Sequence, residues 1–225
     1  MNKDTFSFGK TARSYDQWFS TPLGSVYDKL EKRALGRCFP VASPGERLLD
    51  AGCGTGHFAV YLAERGYTIF GIDSAPEMIT VARNKEIRGA RFVVADILDI
   101  PFPDEHFDTV LTVTVLEFIE QPEKALQEMM RCLKSGGRLV IAVLNAFSPL
   151  SRKRKRQGSG TYKTANLFTP EKLEQLMMPL NDVEVKAAAF VLPYRGLVWS
   201  HIITEIPGAR FNWKWGDFIV GKGIK

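Results

Sequence analysis

Leu48-Leu49-Asp50-Ala51-Gly52-Cys53-Gly54-Thr55-Gly56-His57-Phe58 is the stretch on which the reading of this chain turns. A short apolar run ends in an acid, three glycines follow at alternate positions, and Phe58, Tyr61 and Leu62 then recur at helical spacing until Gly66. This pattern is a strand, a glycine turn and a helix. Without Cβ atoms, the turn lets a ligand lie directly against the main chain at the start of a helix. The spacing narrows the choice of ligand. A dinucleotide fingerprint, G-x-G-x-x-G, needs its third glycine one residue later, where His57 stands. A P-loop needs a closing Gly-Lys-Ser/Thr, which is absent. Asp50, at the strand's exit, repels phosphates and favours a cation. A ligand carrying an ammonium, a sulfonium and a ribose therefore fits better than a pyrophosphate. Taken alone, the glycines would also suit a plain tight turn.

The flanking sequence decides between these. Thr68 to Asp73 is a second apolar strand ending in an acid, and Asp73 falls 21 residues after Gly52. A carboxylate there can accept from both ribose hydroxyls. Arg91 to Asp96 is a third such strand, and Asp96 can accept from an adenine amino group. Both acids also read as helix caps. Pro76-Glu77-Met78-Ile79 opens a helix capped near Ser74 or Ala75. Phe107 to Val115 is a fourth strand, Gln121 to Lys134 a helix closed by Gly136-Gly137, and Arg138 to Leu144 a fifth strand. Near-continuous apolar strands alternating with helices predict a parallel sheet covered on both faces. Beyond Leu144, Ser148 to Thr169 reads as a polar, basic loop or lid. A short helix starts at Thr169-Pro170, Val183 to Val191 and Gly216 to Gly221 read as strands, and Pro193 to Trp215 is rich in aromatics.

Taken in order, Leu49 to Gly56, Gly71-Ile72-Asp73, Ala95-Asp96, Phe102 to Asp108 and Leu133 to Leu139 resemble the class I S-adenosylmethionine-dependent methyltransferases, in particular the small type 11 methyltransferase-domain kind. The resemblance covers Arg47 to Leu144. It implies a Rossmann-like three-layer α/β sandwich with a seven-stranded, mostly parallel sheet in the order 3-2-1-4-5-7-6, strand seven antiparallel, behind an N-terminal helical cap. It implies S-adenosylmethionine (SAM) as cofactor and S-adenosylhomocysteine (SAH) as product. Carried over by position, Asp50, Ala51, Gly52, Cys53, Gly54 and Gly56 would hold the methionine part, Asp73 the ribose with Ser74 beside it, and Asp96 with Ile97 the adenine. Met78 would pack beside the nucleoside, and Thr112 and Val113 would line the methionine side. Tyr15, in Tyr15-Asp16-Gln17-Trp18-Phe19, would close over the cofactor. The implied organisation is one domain over 1–225: a cap at 1–40, a cofactor-binding core at 46–147, a substrate-side insertion and lid at 148–215, and a final strand at 216–225.

No catalytic pair stands out. His201 in the aromatic-rich stretch, Glu117 at the expected cleft mouth and His57 at the first helix are the candidates for a base. His57 reads first as a wall residue, and Glu117 equally as a substrate-shaping or surface residue. Asp108 reads as an orienter of the fourth strand, His106 as solvent-facing and Cys53 as a small filler. Trp199, Trp213 and Trp215 suit either packing or a wall for a planar acceptor. The Asn-Pro-Pro-Tyr/Phe signature for base or glutamine amino groups is absent after the fourth strand, where Thr112-Val113-Thr114-Val115 stands.

Composition bounds the rest. The 225 residues are 45% hydrophobic and 24% charged, which excludes disorder and disulfide scaffolds. Thirty Lys and Arg exceed 25 Asp and Glu by five, and the run Arg152 to Arg156 supplies all five. A broad nucleic-acid face would spread its excess; this run is expected to be a solvated loop, with an acidic substrate or RNA backbone as its alternative use. Three scattered cysteines provide no metal site and suit a reducing compartment. Met1 to Ser7 lacks an apolar signal core, and no apolar run is long enough to span a membrane. The expectation is a cytoplasmic methyltransferase with a small-molecule acceptor; RNA or protein acceptors and a non-catalytic cofactor binder are its alternatives. The acceptor and the oligomeric state are not set by the sequence.

Overall fold

The computed structural model describes residues 8–157, 164–191 and 213–225. Two helices, α1 (Phe8–Phe19) and α2 (Pro22–Gly36), precede β1 (Arg47–Ala51). Then come α3 (His57–Ala63), β2 (Thr68–Asp73), α4 (Pro76–Asn84), β3 (Ala90–Val94) and β4 (Phe107–Val113). A 3-10 turn at Leu116–Phe118 leads to α5 (Pro122–Cys132), β5 (Leu133–Leu144), α6 (Pro149–Arg156), α7 (Pro170–Leu176), β6 (Asn181–Ala188) and β7 (Phe218–Ile224). The seven strands form one sheet in the expected order β3-β2-β1-β4-β5-β7-β6. The pairs from β3 through β5 are parallel, whereas β7 runs antiparallel to both β5 and β6.

Successive strand residues project to opposite faces, and both faces are buried. Leu48, Ile69, Leu111 and Val140 pack with Leu30, Leu62 and Ile79 of α2, α3 and α4. Leu49, Ile72, Val110 and Ile141 pack with Leu126 and Met129 of α5 and with Leu173 and Met177 of α7. These helix layers hold the sheet rigid, so that the carboxyl ends of β1, β2 and β4 present their residues along one edge.

Several boundaries differ from the sequence reading. β4 stops at Val113 rather than Val115, because Thr114 takes a left-handed backbone (φ 52) and turns the chain out of the sheet. α5 ends at Cys132, before Gly136-Gly137. Those glycines lie instead in an irregularity of β5, whose partners on β4 jump from Phe107↔Leu133 to Thr109↔Arg138. β6 begins two residues earlier and ends three earlier than expected, and β7 starts two later and runs to Ile224. His106 is half-buried rather than solvent-facing, stacked on Phe102 with ring centroids 5.9 Å apart. Asp108 does orient β4, accepting from the Arg47 backbone N–H at 2.9 Å and pairing with Lys134.

The larger correction concerns the basic run. Arg152 to Arg156 lie on α6, not on a loop. Ser148 caps this helix by accepting from the Ser151 N–H at 3.0 Å, Pro149 fits the first turn, and the cations gather at the last turn, where they complement the helix dipole. The same Ser148 hydroxyl donates to the buried carboxylate of Asp217, which also accepts from the hydroxyl of Tyr27 on α2. Burial pushes Asp217 up to about 6, against those two hydrogen bonds. This junction fastens α2 and α6 to the start of β7. Tyr27→Phe should therefore destabilise the fold by about 1–3 kcal/mol, since the carboxylate loses a buried donor. Urea titration reads this as a lower midpoint at unchanged slope.

Candidate active site

The carboxyl edge of the sheet opens into a cleft enclosing about 1040 Å³, solvent included. Open α/β sheets bind ligands at this edge, where the strand order reverses. Asp50, from the end of β1, forms its floor and is 2% exposed. Its Oδ2 has no hydrogen-bond partner among the described residues. Burial, reinforced by the neighbouring Asp73 charge, pushes its carboxyl up to about 7. A buried carboxylate oxygen without a donor is costly unless a cation or donor arrives.

The glycine turn follows. Gly52 has φ +83, and a Cβ there would lie 2.3 Å from Cγ2 of Val115, so the turn packs tightly against the residues after β4. Gly54 has φ +53, and a Cβ there would meet nothing within 4 Å, because it would point into the open cleft. Asp73 braces the turn: Oδ2 accepts from the Gly54 N–H and Oδ1 from the Ala75 N–H, both at 2.9 Å. Burial raises the Asp73 carboxyl above its ordinary range, and those two N–H groups hold the rise down.

The cleft brings together Tyr15, Asp50, Gly52, Cys53, Gly54, Asp73, Ser74, Met78, Asp96, Ile97 and Val113 from the expected set. Met78 and Ile97 are apolar walls, and exposed Asp96 accepts from the Leu98 N–H at 2.9 Å. Three expected residues do not line it. Ala51 is buried on the opposite face of the sheet, and Gly56 caps α3 behind the turn. Thr112 is fully buried in β4 with its hydroxyl unpartnered among the described residues; the strand's alternation gives the cleft Val113, and the chain's turn adds Thr114. Phe58, Ile72, Ala95, Val115, Phe118 and Ile119 complete the lining.

α1 closes one side. Tyr15 lines the cleft together with Thr114, and burial with the Glu31 and Asp16 charges pushes its phenol well above the ordinary range. Next to it, Asp16 accepts from the Thr55 hydroxyl at 2.6 Å and pairs with Lys85 at 2.6 Å. α1 is thereby fixed to both the glycine turn and α4.

A Methyltransferase domain family model matches residues 49–141. The chain is 36% identical over 183 residues to an uncharacterised protein of Methanocaldococcus jannaschii, covering 80% of this chain and 82% of that one. The crystal structure of a SAM-dependent methyltransferase from Thermotoga maritima, described as a possible histamine N-methyltransferase, superposes with a TM-score of 0.76 at 28% identity, over 97% of this chain and 98% of that one. The chain belongs to the class I SAM-dependent methyltransferases. It is also 33% identical over 142 residues to the malonyl-[acyl-carrier protein] O-methyltransferase of Serratia marcescens, of which it spans 52% of the length, using 63% of its own.

The cofactor of this methyltransferase is SAM, which when bound supplies a methyl group on a positively charged sulfur. The cleft fits it on its own evidence: an unpartnered buried carboxylate oxygen suits a cation, and the space at Gly54 suits a ligand held against main chain. Among the described residues, no group of His, Cys, Asp and Glu could hold a metal.

The candidate bases separate. Glu117 is not at the cleft mouth; it is 1% exposed and turns inward, its Oε1 accepting from the Leu144 N–H at 3.1 Å. Burial pushes it up to about 7, against backbone hydrogen bonds. It ties the 3-10 turn to β5. His201 and Trp199 lie outside the described residues. Trp213 and Trp215 stack on each other at 5.7 Å and meet Phe190 edge-on, which is packing. His57 lines the cleft, in a setting that the sequence pattern did not show.

Proposed function

We propose that this methyltransferase delivers the methyl group to a small-molecule acceptor by in-line displacement, as a single cytoplasmic domain. The observation that carries this reading is Asp50: a buried carboxylate oxygen without a partner, beside a turn whose Gly54 leaves ligand space. In this reading Asp50 and the glycine turn hold the methionine part, Asp73 the ribose hydroxyls, and Asp96 with Ile97 the adenine. Met78 flanks the nucleoside, and Tyr15 closes over it. Phe58, Phe118 and Ile119 exclude water from the acceptor end, so that positioning and desolvation do the protein's share of the work.

A small acceptor is favoured because α1, tied down through Asp16, narrows the approach to the apolar end. The Thermotoga relative's description names a small amine. Three free cysteines support a reducing compartment, and among the described residues no helix is long and apolar enough to cross a membrane.

Incubation with methyl-labelled SAM and a metabolite extract, followed by fractionation, tests this. Label is expected in low-molecular-mass products. Label confined to RNA or protein would overturn the small-molecule assignment, and tight cofactor binding without transfer would leave a binding protein. Asp50 adds a pH signature. Its carboxyl ionises near 7, so the charge that attracts the cation is present above that pH and lost below it. SAM affinity is expected to be about tenfold weaker at pH 6 than at pH 8, and Asp50→Asn should flatten the dependence as read by calorimetry.

A further inference from the structure

His57 stands at the first turn of α3, facing the cleft, and is held from two directions. Its Nε2 lies 2.6 Å from Oδ1 of Asp28 on α2, and the ring of Phe19 from α1 lies flat against it, centroids 3.7 Å apart and planes 5° from parallel. Asp28 is itself anchored by Lys32 one turn along α2, at 2.9 Å. Burial works against the Asp28 charge, but the hydrogen bonds from Lys32 and His57 outweigh it and hold the carboxyl below its usual range. An ionised carboxylate only accepts, so Nε2 carries the hydrogen and Nδ1 keeps a lone pair.

We propose that His57 is the general base of the transfer, that Asp28 positions it, and that the acceptor therefore reaches the cleft with its proton still attached, as a hydroxyl, phenol or ammonium group. This rests on the small-molecule reading and narrows it. A wall residue would need neither a carboxylate partner nor a ring stacked on it; a base needs its tautomer and its plane fixed. As the acceptor atom bonds to the methyl carbon, that carbon's bond to sulfur breaks and its electron pair remains on sulfur. The acceptor's O–H or N–H bond leaves its electrons on the acceptor, and the proton passes to Nδ1, making the imidazolium that Asp28 stabilises.

The surroundings keep His57 ready. Burial lowers its pKa, the Asp28 bond opposes that, and the ammonium groups of Lys32 from α2 and Lys85 just after α4 lower it again. Lys85 is in turn paired with Asp16 of α1. The net depression leaves the ring neutral around neutral pH, able to take a proton. Transfer should rise with pH through the His57 pKa and fall away below it.

The test uses the full chain, methyl-labelled SAM and the metabolite extract, with SAH affinity measured in parallel. His57→Gln is expected to lower incorporation at least about 100-fold while SAH affinity stays within about threefold. Asp28→Asn should lower it by less and move the acidic limb of the pH profile to lower pH, because the carboxylate that raises the imidazole pKa is gone. Imidazole NMR of a chain with three histidines should show the matching fall for His57. Incorporation by His57→Gln within threefold of wild type overturns the assignment and leaves the small-molecule reading standing. No incorporation by the wild-type chain overturns both. Should His57→Gln not fold, an unmoved limb in Asp28→Asn, measured with SAM saturating at every pH so that Asp50 does not set the limb, is the overturning result.

Discussion

Gly54→Val is expected to raise the Kd for SAM at least about 100-fold, a loss of about 2.7 kcal/mol. The position carries two constraints of different kinds. Its φ of +53 disfavours a side chain, which costs the fold about 1–2 kcal/mol for alanine and more for a β-branched residue. Its Cβ would meet no described non-neighbouring residue within 4 Å, so beyond the backbone strain the added bulk falls on the space proposed for the ligand. Gly54→Ala carries the milder backbone penalty, since β-branched valine fits a positive φ worse, and urea titration of the free variants measures that difference apart from the loss of ligand space. Calorimetry should rank wild type, alanine and valine in falling affinity, while circular dichroism shows all three folded. A folded valine variant that binds normally would place the ligand elsewhere.

The second large effect is Asp73→Ala, for which affinity should fall about 10- to 100-fold, as expected for a charge-assisted hydrogen bond worth about 1.5–3 kcal/mol. In the proposed role Asp73 does two things at once. It holds the turn by accepting from Gly54 and Ala75, and it presents its remaining lone pairs to a ribose. Asp73→Asn keeps one oxygen for the turn but removes the charge, and should fall between wild type and alanine. Affinity unchanged in the alanine variant, measured for both SAM and SAH, rejects the ribose role.

The part of the cleft at the ends of β1, β2 and β3 was legible because its determinants are local. Strand, acid, glycine turn and helix follow one another within Leu48 to Phe58, and Asp73 and Asp96 end the next two strands. The sheet order came with the resemblance, and pairing bears it out. Where the reading failed, the cause was long-range or hidden by composition. Nothing near Asp28 marks it as the partner of a histidine 29 residues away. Thr112 resembled a lining residue until β4's alternation and the turn at Thr114 gave the cleft its neighbours instead. Glu117 has the chemistry of a surface acid, yet it turns inward and accepts from the Leu144 N–H. The basic run hid a helix because five cations obscured a start signal, Ser148-Pro149, that was present all along.

The join between Asp16, Thr55 and Lys85 bears on traffic as well as on shape. The helix that carries Tyr15 is pinned to the very turn proposed to hold the methionine part, so that helix and turn cannot shift independently. In the proposed binding mode, loosening of α1 and release of an occupant would be coupled steps.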